Sequence, residues 1–203
     1  IVIGAGMVGA ACAYYASRAG LSVTVLDRAA VGGGTTGAGE GNLLVSDKAA
    51  GPELDLAQRS QQLWRALAAT DGPGYQRLGT SFEYEAKGGL VVASSESDLW
   101  ALTDFARSQR AAGVTAEAIS ESELRMYEPE LAEGFAGGLF YPEDSQVMPT
   151  LAAAHLLRAS GARVLLGRAV TGLLVAGGPS RGVRTPPGGA PAVVRFDDAE
   201  GRR

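Results

Sequence analysis

The pattern Gly4-x-Gly6-x-x-Gly9 constrains this chain more than any other stretch, because of what surrounds it. Ile1-Val2-Ile3 reads as a short buried strand running straight into the glycines. A helix rich in small residues (Ala10, Ala11, Ala13, Ala16) follows to about Ala19 and stops at Gly20. Residues 21–26 are a second apolar strand, ending at Asp27. Strand, tight turn, helix and strand within so short a span make a βαβ unit, with the right-handed crossover such units adopt.

Each glycine has a chemical reason in that setting. Gly4 permits the tight turn, Gly6 lets the backbone approach a pyrophosphate, and Gly9 lets the helix pack on the sheet. The helix N-terminus offers free N–H groups and its positive dipole end to phosphates. Asp27, 18 residues past Gly9, stands where an acid accepts hydrogen bonds from ribose hydroxyls. An acid there disfavours a 2′-phosphate and hence NADP. NAD and FAD both use this fingerprint. The next stretch, residues 31–50, is a long glycine-rich connection carrying Thr35-Thr36. Loops of that length inside a domain are usually functional or disordered. This one can set hydroxyls and N–H groups against a long dinucleotide and its ring system.

Composition narrows the class. Of 203 residues, 46% are hydrophobic and 20% charged, the balance of an ordinary globular protein. The 29 glycines are roughly double the usual share of about 7%, yet no G-X-Y period runs through them. A net charge of −4 gives no reason to expect nucleic acid or an acidic membrane surface as partner. Cys12 is the only cysteine, so no internal disulfide or CxxC pair exists. No apolar run suits a membrane span and no signal-peptide pattern is visible. A cytoplasmic setting is therefore expected. The first residue lies inside a strand and the last inside a turn, so both ends read as trimmed from a longer protein.

Further along, Pro52 opens a helix whose apolar positions Leu56, Ala57, Leu63, Trp64 and Leu67 share one face. Phe82-Glu83-Tyr84 and residues 89–93 read as strands. Two helices follow, opened by the capping patterns Ser95 with Asp98 and Ser120 with Glu123, ending near Gly113 and before Pro129. Residues 138–141 are another strand. Pro149 opens a strongly apolar helix closed by Gly161, with strands at 163–166, 170–176 and 193–196 after it. Pro186-Pro187-Gly188-Gly189 marks a turn. The expected architecture is α/β: a Rossmann-like domain with a mostly parallel sheet from residues 1–80 and 147–203, and a smaller α+β insertion of substrate-domain type at 81–146.

Taken together, Val2-Ile3-Gly4-Ala5-Gly6-Met7-Val8-Gly9, Asp27-Arg28, Gly33-Gly34-Thr35-Thr36-Gly37-Ala38 and Gly41-Asn42-Leu43 resemble the D-amino-acid-oxidase-like flavoproteins. That group includes glycine oxidase, sarcosine oxidase and the flavin subunits of opine and cyanide-forming glycine dehydrogenases. Residues 88–92, the stretch from Tyr141 to Pro149, and the segment from Gly161 to Val170 match in type and order. The resemblance implies non-covalent FAD and oxidation of an amino acid or amine. It further implies that Gly4, Gly6 and Gly9 hold the pyrophosphate, Asp27 the adenosine ribose, and Arg28 the neighbourhood of the adenine. Thr35, Thr36, Gly41, Asn42 and Leu43 would approach the pyrophosphate-to-flavin stretch, and Val170 the adenine through its backbone. The family more often has Glu where Asp27 stands, and Gly41-Asn42 departs from the small-residue pattern of glycine oxidase. An arginine that holds the substrate carboxylate belongs to the C-terminal half, which the resemblance places outside this sequence.

No residue here recommends itself as catalytic. Arg59, Arg77 and Arg125 read as solvated arginines. His155, the only histidine, lies on an apolar helix without partners for a triad or a metal. Cys12 is expected to be a buried, inert thiol. Glu143 and Asp144, were they in a strand, would point to opposite faces and so not share acid/base work, and they read instead as turn or domain-junction residues. Glu40 reads as a solvated loop acid. The readings left beside the flavin oxidoreductase are an NAD-dependent dehydrogenase and a flavin-binding subunit that works only with a partner chain.

Overall fold

A computed structural model describes residues 1–72, 77–175, 178–179 and 192–197. The Pro186-to-Gly189 turn and the end of the chain lie outside that set. The elements run β1 (Val2–Ile3), α1 (Met7–Arg18), β2 (Thr24–Leu26), α2 (Thr35–Ala38), β3 (Asn42–Leu43), α3 (Pro52–Ala68) and α4 (Leu78–Ser81). Then come β4 (Gly89–Ala93), α5 (Glu96–Ala111), β5 (Glu117–Ser120), α6 (Glu121–Tyr127), β6 (Gly137–Tyr141) and β7 (Ser145–Gln146). The chain continues with α7 (Pro149–Ser160), β8 (Arg163–Leu165), β9 (Ala169–Val175), β10 (Gly178–Pro179) and β11 (Ala192–Asp197). Two compact units result: Ile1–Gly39 with Pro149–Arg203, and Glu40–Met148.

The first unit is the α/β one. Its sheet has the order β1-β2-β8 and is parallel, with Val2 opposite Val25 and Val25 opposite Val164. Helix α1 packs on α7 through small side chains that let the two backbones approach closely: Ala10 and Ala13 on one, Ala152 and Ala153 on the other. Tyr14, Leu156 and Leu157 fill the space around them. An antiparallel sheet, β10-β9-β11, completes the unit.

The second unit is α+β. Its antiparallel sheet β4-β6-β5 pairs Val91 with Leu139 and Ile119 with Gly138. Val45, Leu54, Ala106, Val114, Ala116, Leu139 and Tyr141 form its core. Residues 40–80, expected with the first domain, pack in this unit, because Leu54 of α3 is fully buried in that cluster. The helical phase of α3 differs from expectation accordingly. Leu54, Gln61 and Leu67 face inward, while Leu56 is 70% exposed.

Both serine-capped helices form as the sequence reads. Ser95 Oγ accepts the Asp98 N–H, and Ser120 with Glu123 makes a reciprocal capping box. The strand expected at Phe82-Glu83-Tyr84 does not form. A helical turn, α4, precedes it, and Glu83 adopts φ 55°, a left-handed conformation no strand contains. Strand β5 was not legible, since among its four residues only Ile119 is buried.

Candidate functional site

The turn between β1 and α1 is built as tightly as glycine allows. Gly4 has φ 101°, and its N–H donates to the Leu26 carbonyl at 2.8 Å, tying the turn to the end of β2. A Cβ on Gly9 would stand 1.9 Å from the Gly4 carbonyl oxygen, so only glycine lets α1 start this close to the turn. A Cβ on Gly6 would come within 3.0 Å of Thr36 Oγ1.

Helix α1 leaves its first N–H groups without intrahelical partners. Met7 N–H donates to Thr36 Oγ1 at 2.9 Å, and Ala10 N–H returns to the Gly6 carbonyl at 2.9 Å. The Thr36 hydroxyl therefore caps the helix from 29 residues away, since glycine at the N-cap has no side chain to do so. Its own proton remains available to an acceptor.

Asp27 closes the other side. Its Oδ2 accepts from Ala5 N–H at 2.7 Å and its Oδ1 from Ala29 N–H at 2.7 Å. The carboxylate thus ties the glycine turn to the chain leaving β2, a structural task that the ribose reading did not include. A carboxylate has about four lone-pair sites, so two bonds leave it able to accept more.

These groups share one cleft of about 500 Å3. Gly4, Gly6, Gly9, Asp27, Arg28, Thr35 and Thr36 all line it. Cys12 lines it too and is exposed, which corrects the expectation of a buried thiol: its side chain leaves α1 on the cleft side, away from the buried Ala10 and Ala13. Val170 lies half-buried in β9, opposite Phe196 of β11, and is not part of the lining.

Gly41, Asn42 and Leu43 belong to the second unit. Gly41 has φ 85° and accepts Val147 N–H at 3.0 Å, and Asn42 pairs with Gln146 across β3 and β7. The Asn42 amide donates to Glu40 Oε2 at 3.1 Å on an exposed surface. Sequence reading missed two side chains that hold this stretch, Gln61 and Gln109, and gave the third, Asp144, no bonding partners. Their partners lie 18 to 99 residues away, so no local pattern could reveal them. His155 is half-buried on α7, and no cluster of three metal-ligating side chains exists among the described residues. No helix among them is long and apolar enough to cross a membrane.

A parallel β1-α1-β2 unit with a glycine-walled cleft at the helix N-terminus defines a dinucleotide-binding protein of the Rossmann type. The chain belongs to the FAD dependent oxidoreductase family, whose pattern matches residues 1–195. That match decides between NAD and FAD in favour of FAD. The residues present fit this cofactor: the cleft falls within the usual range of about 300–1,000 Å3, and Gly4, Gly6 and Gly9 in its lining carry no Cβ to hold a phosphate away from the helix N-terminus.

Among curated relatives, one component of the anaerobic glycerol-3-phosphate dehydrogenase of Escherichia coli (strain K12) is 29% identical over 91% of this chain and 33% of its own length. Glycine oxidase of Geobacillus kaustophilus is 28% identical over 81% of this chain and 44% of its own. The crystal structure of that glycine oxidase superposes with a TM-score of 0.74 at 25% identity, covering 85% of this chain and 47% of that one. Iminodiacetate oxidase from Chelativorans shares the fold at 24% identity, with a TM-score of 0.74 over 98% of this chain and 51% of that one. The chain therefore spans about a third to a half of these proteins' lengths.

Proposed function

We propose that this chain is the dinucleotide-binding part of an enzyme that oxidises the C–N bond of an amino acid or secondary amine. Bound FAD supplies the acceptor for a hydride, at its N5. The substrate loses that hydride from the carbon bearing nitrogen and a proton from the nitrogen, and water then hydrolyses the imine.

The chain's own residues bind and orient. Gly4, Gly6 and Gly9 admit the pyrophosphate to the N-terminus of α1, where Val8 and Gly9 N–H groups remain to be satisfied. Asp27 accepts from the adenosine ribose while it braces the turn, and Arg28 lies beside the adenine, which Val170 meets through its backbone. Thr35 and Thr36 donate to the phosphate stretch, and Gly41, Asn42 and Leu43 approach the flavin. No residue of this chain is required to act as a base.

One observation carries the choice of substrate class: glycine oxidase resembles this chain both in sequence, at 28% identity, and in structure, with a TM-score of 0.74. A second reading is favoured by the longer match to the glycerol-3-phosphate dehydrogenase component. It makes this chain part of a multi-chain enzyme acting on a C–O bond. Anaerobic addition of glycine, sarcosine, proline, D-amino acids or glycerol 3-phosphate to the full-length protein separates the two. Bleaching of the flavin by an amine supports the first reading, and bleaching by glycerol 3-phosphate alone overturns it.

A further inference from the structure

The parallel sheet of the first unit has two edges, β1 and β8, and they are unlike. Strand β8 begins at Arg163 and is soon followed by Arg168, charges of the kind that keep a sheet edge from further pairing. Ile1-Val2-Ile3 carries neither charge nor proline. A run that is apolar on both faces belongs to an interior strand of a parallel sheet. Among the described residues, however, β1 pairs with β2 alone.

The backbone shows the same opening. Val2 stands opposite Val25, and Gly4 N–H donates to the Leu26 carbonyl, so Val2 and Gly4 turn their polar groups toward β2. Alternation along the strand then turns the N–H and C=O of Ile3 toward the unpaired edge. The Ile1 and Ile3 side chains share one face, and both are exposed, Ile3 at 60%.

Helix α1 extends this surface. It buries Ala10, Ala13 and Tyr14, and its opposite side carries Val8, Cys12 and Tyr15, all exposed. At 3.6 residues per turn these three fall within about 60° of one another. The outer side of a surface helix is normally polar, yet here Val8 is 79% exposed. Ile3, Val8 and Cys12 line one cleft, so the strand edge and the helix side are continuous. A dinucleotide at the helix N-terminus does not account for the whole surface. Tyr15 lies about 12 Å along the axis from Met7, and Ile1 is at the far end of β1.

We propose that the β1 edge and the Val8, Cys12 and Tyr15 side of α1 together dock a strand and a helix from the polypeptide beyond residue 203. This chain covers 47% of the glycine oxidase structure and 51% of the iminodiacetate oxidase one, so a length comparable to its own is there to supply them. The strand pairs with the N–H and C=O of Ile3 and makes β1 interior. The helix covers the apolar side of α1, opposite the side that α7 covers. Docked there, the two elements wall the dinucleotide cleft where Ile3, Val8 and Cys12 now face solvent. The inference is independent of whether the substrate is an amine or glycerol 3-phosphate.

The test uses the full-length protein freed of flavin, so that FAD cannot shield the surface. Maleimide labelling of Cys12, followed on its own peptide by mass spectrometry, should be at least about tenfold slower than in the unfolded protein. Labelling of the folded protein at the unfolded rate overturns the proposal. A photoreactive benzophenone side chain in place of Tyr15 then identifies what covers the helix. It should capture a peptide beyond residue 203 of the same chain, with a yield that does not fall on dilution. Capture of a second copy, of another protein, or of no peptide overturns the proposal. Neither readout needs FAD, so a protein that binds no flavin contradicts the cofactor reading and leaves the docking result to stand or fall by itself.

Discussion

Thr36 Oγ1 accepts the Met7 N–H at 2.9 Å, so a hydroxyl from the glycine-rich loop serves as the N-cap that Gly6 cannot provide. The loop and the helix N-terminus are thereby joined by a single bond. Removing the hydroxyl with Thr36→Ala should cost about 1 kcal/mol of stability, the usual worth of an N-cap. It should also weaken FAD binding, whereas Thr36→Ser should recover both. Denaturant unfolding of the flavin-free protein, paired with FAD titration, checks this.

Gly9 is the tightest position in the cleft. A methyl group there meets the Gly4 carbonyl at 1.9 Å, backbone against side chain, with no flexible atom to yield. Gly9→Ala should therefore destabilise the protein by about 1–3 kcal/mol and abolish flavin retention together. An alanine variant that remains yellow through gel filtration would contradict the close packing described for this turn.

Asp27 uses both oxygens on backbone N–H groups, from Ala5 and from Ala29. Asparagine at this position offers one acceptor where two are used and turns an NH2 group toward the other N–H. Asp27→Asn should lose about 1–3 kcal/mol of stability even without cofactor, because one of the two donors goes unpaired. A role confined to the ribose would leave the flavin-free protein as stable as before, and thermal unfolding without FAD distinguishes the two.

Burial pushes the Asp144 carboxyl above the usual carboxylate range, against the opposing pull of hydrogen bonds from Ser46 and Val45. An acid whose folded pKa exceeds its unfolded one holds its proton more tightly when folded. Its contribution to stability is therefore greatest below the ordinary carboxylate value and falls as pH rises from there through the raised folded value. Asparagine does not titrate. The stability of wild type minus that of Asp144→Asn should decline with rising pH across that window and then level off. A difference that is flat, or that grows with pH, would show that the buried carboxyl is not raised.

The parts legible in the sequence were those governed by nearby residues. Gly4, Gly6 and Gly9 announce the turn because left-handed or crowded backbone admits little else, and Gly4 does adopt φ 101°. Ser95 and Ser120 announce helix starts because the cap reaches only three residues on. Illegible were features decided by tertiary partners. Leu56 carries the right side chain for a core yet faces solvent, because Leu54 and Gln61 set the phase of α3. Phe82 is fully buried, but from a helical turn rather than a strand, since Glu83 reverses the chain immediately after it. Gln109 looks like an ordinary polar residue of an amphipathic helix, and only the fold brings it beneath residues 45–48.

Hydrogen exchange of the full-length protein with and without FAD tests the central claim most directly, because it reads the cleft peptide by peptide. FAD should slow exchange in residues 4–12, where the glycine turn leads into α1, and in residues 27–39, which carry Asp27, Thr35 and Thr36. Tight FAD binding that leaves both stretches exchanging as fast as before would place the dinucleotide elsewhere and contradict the account.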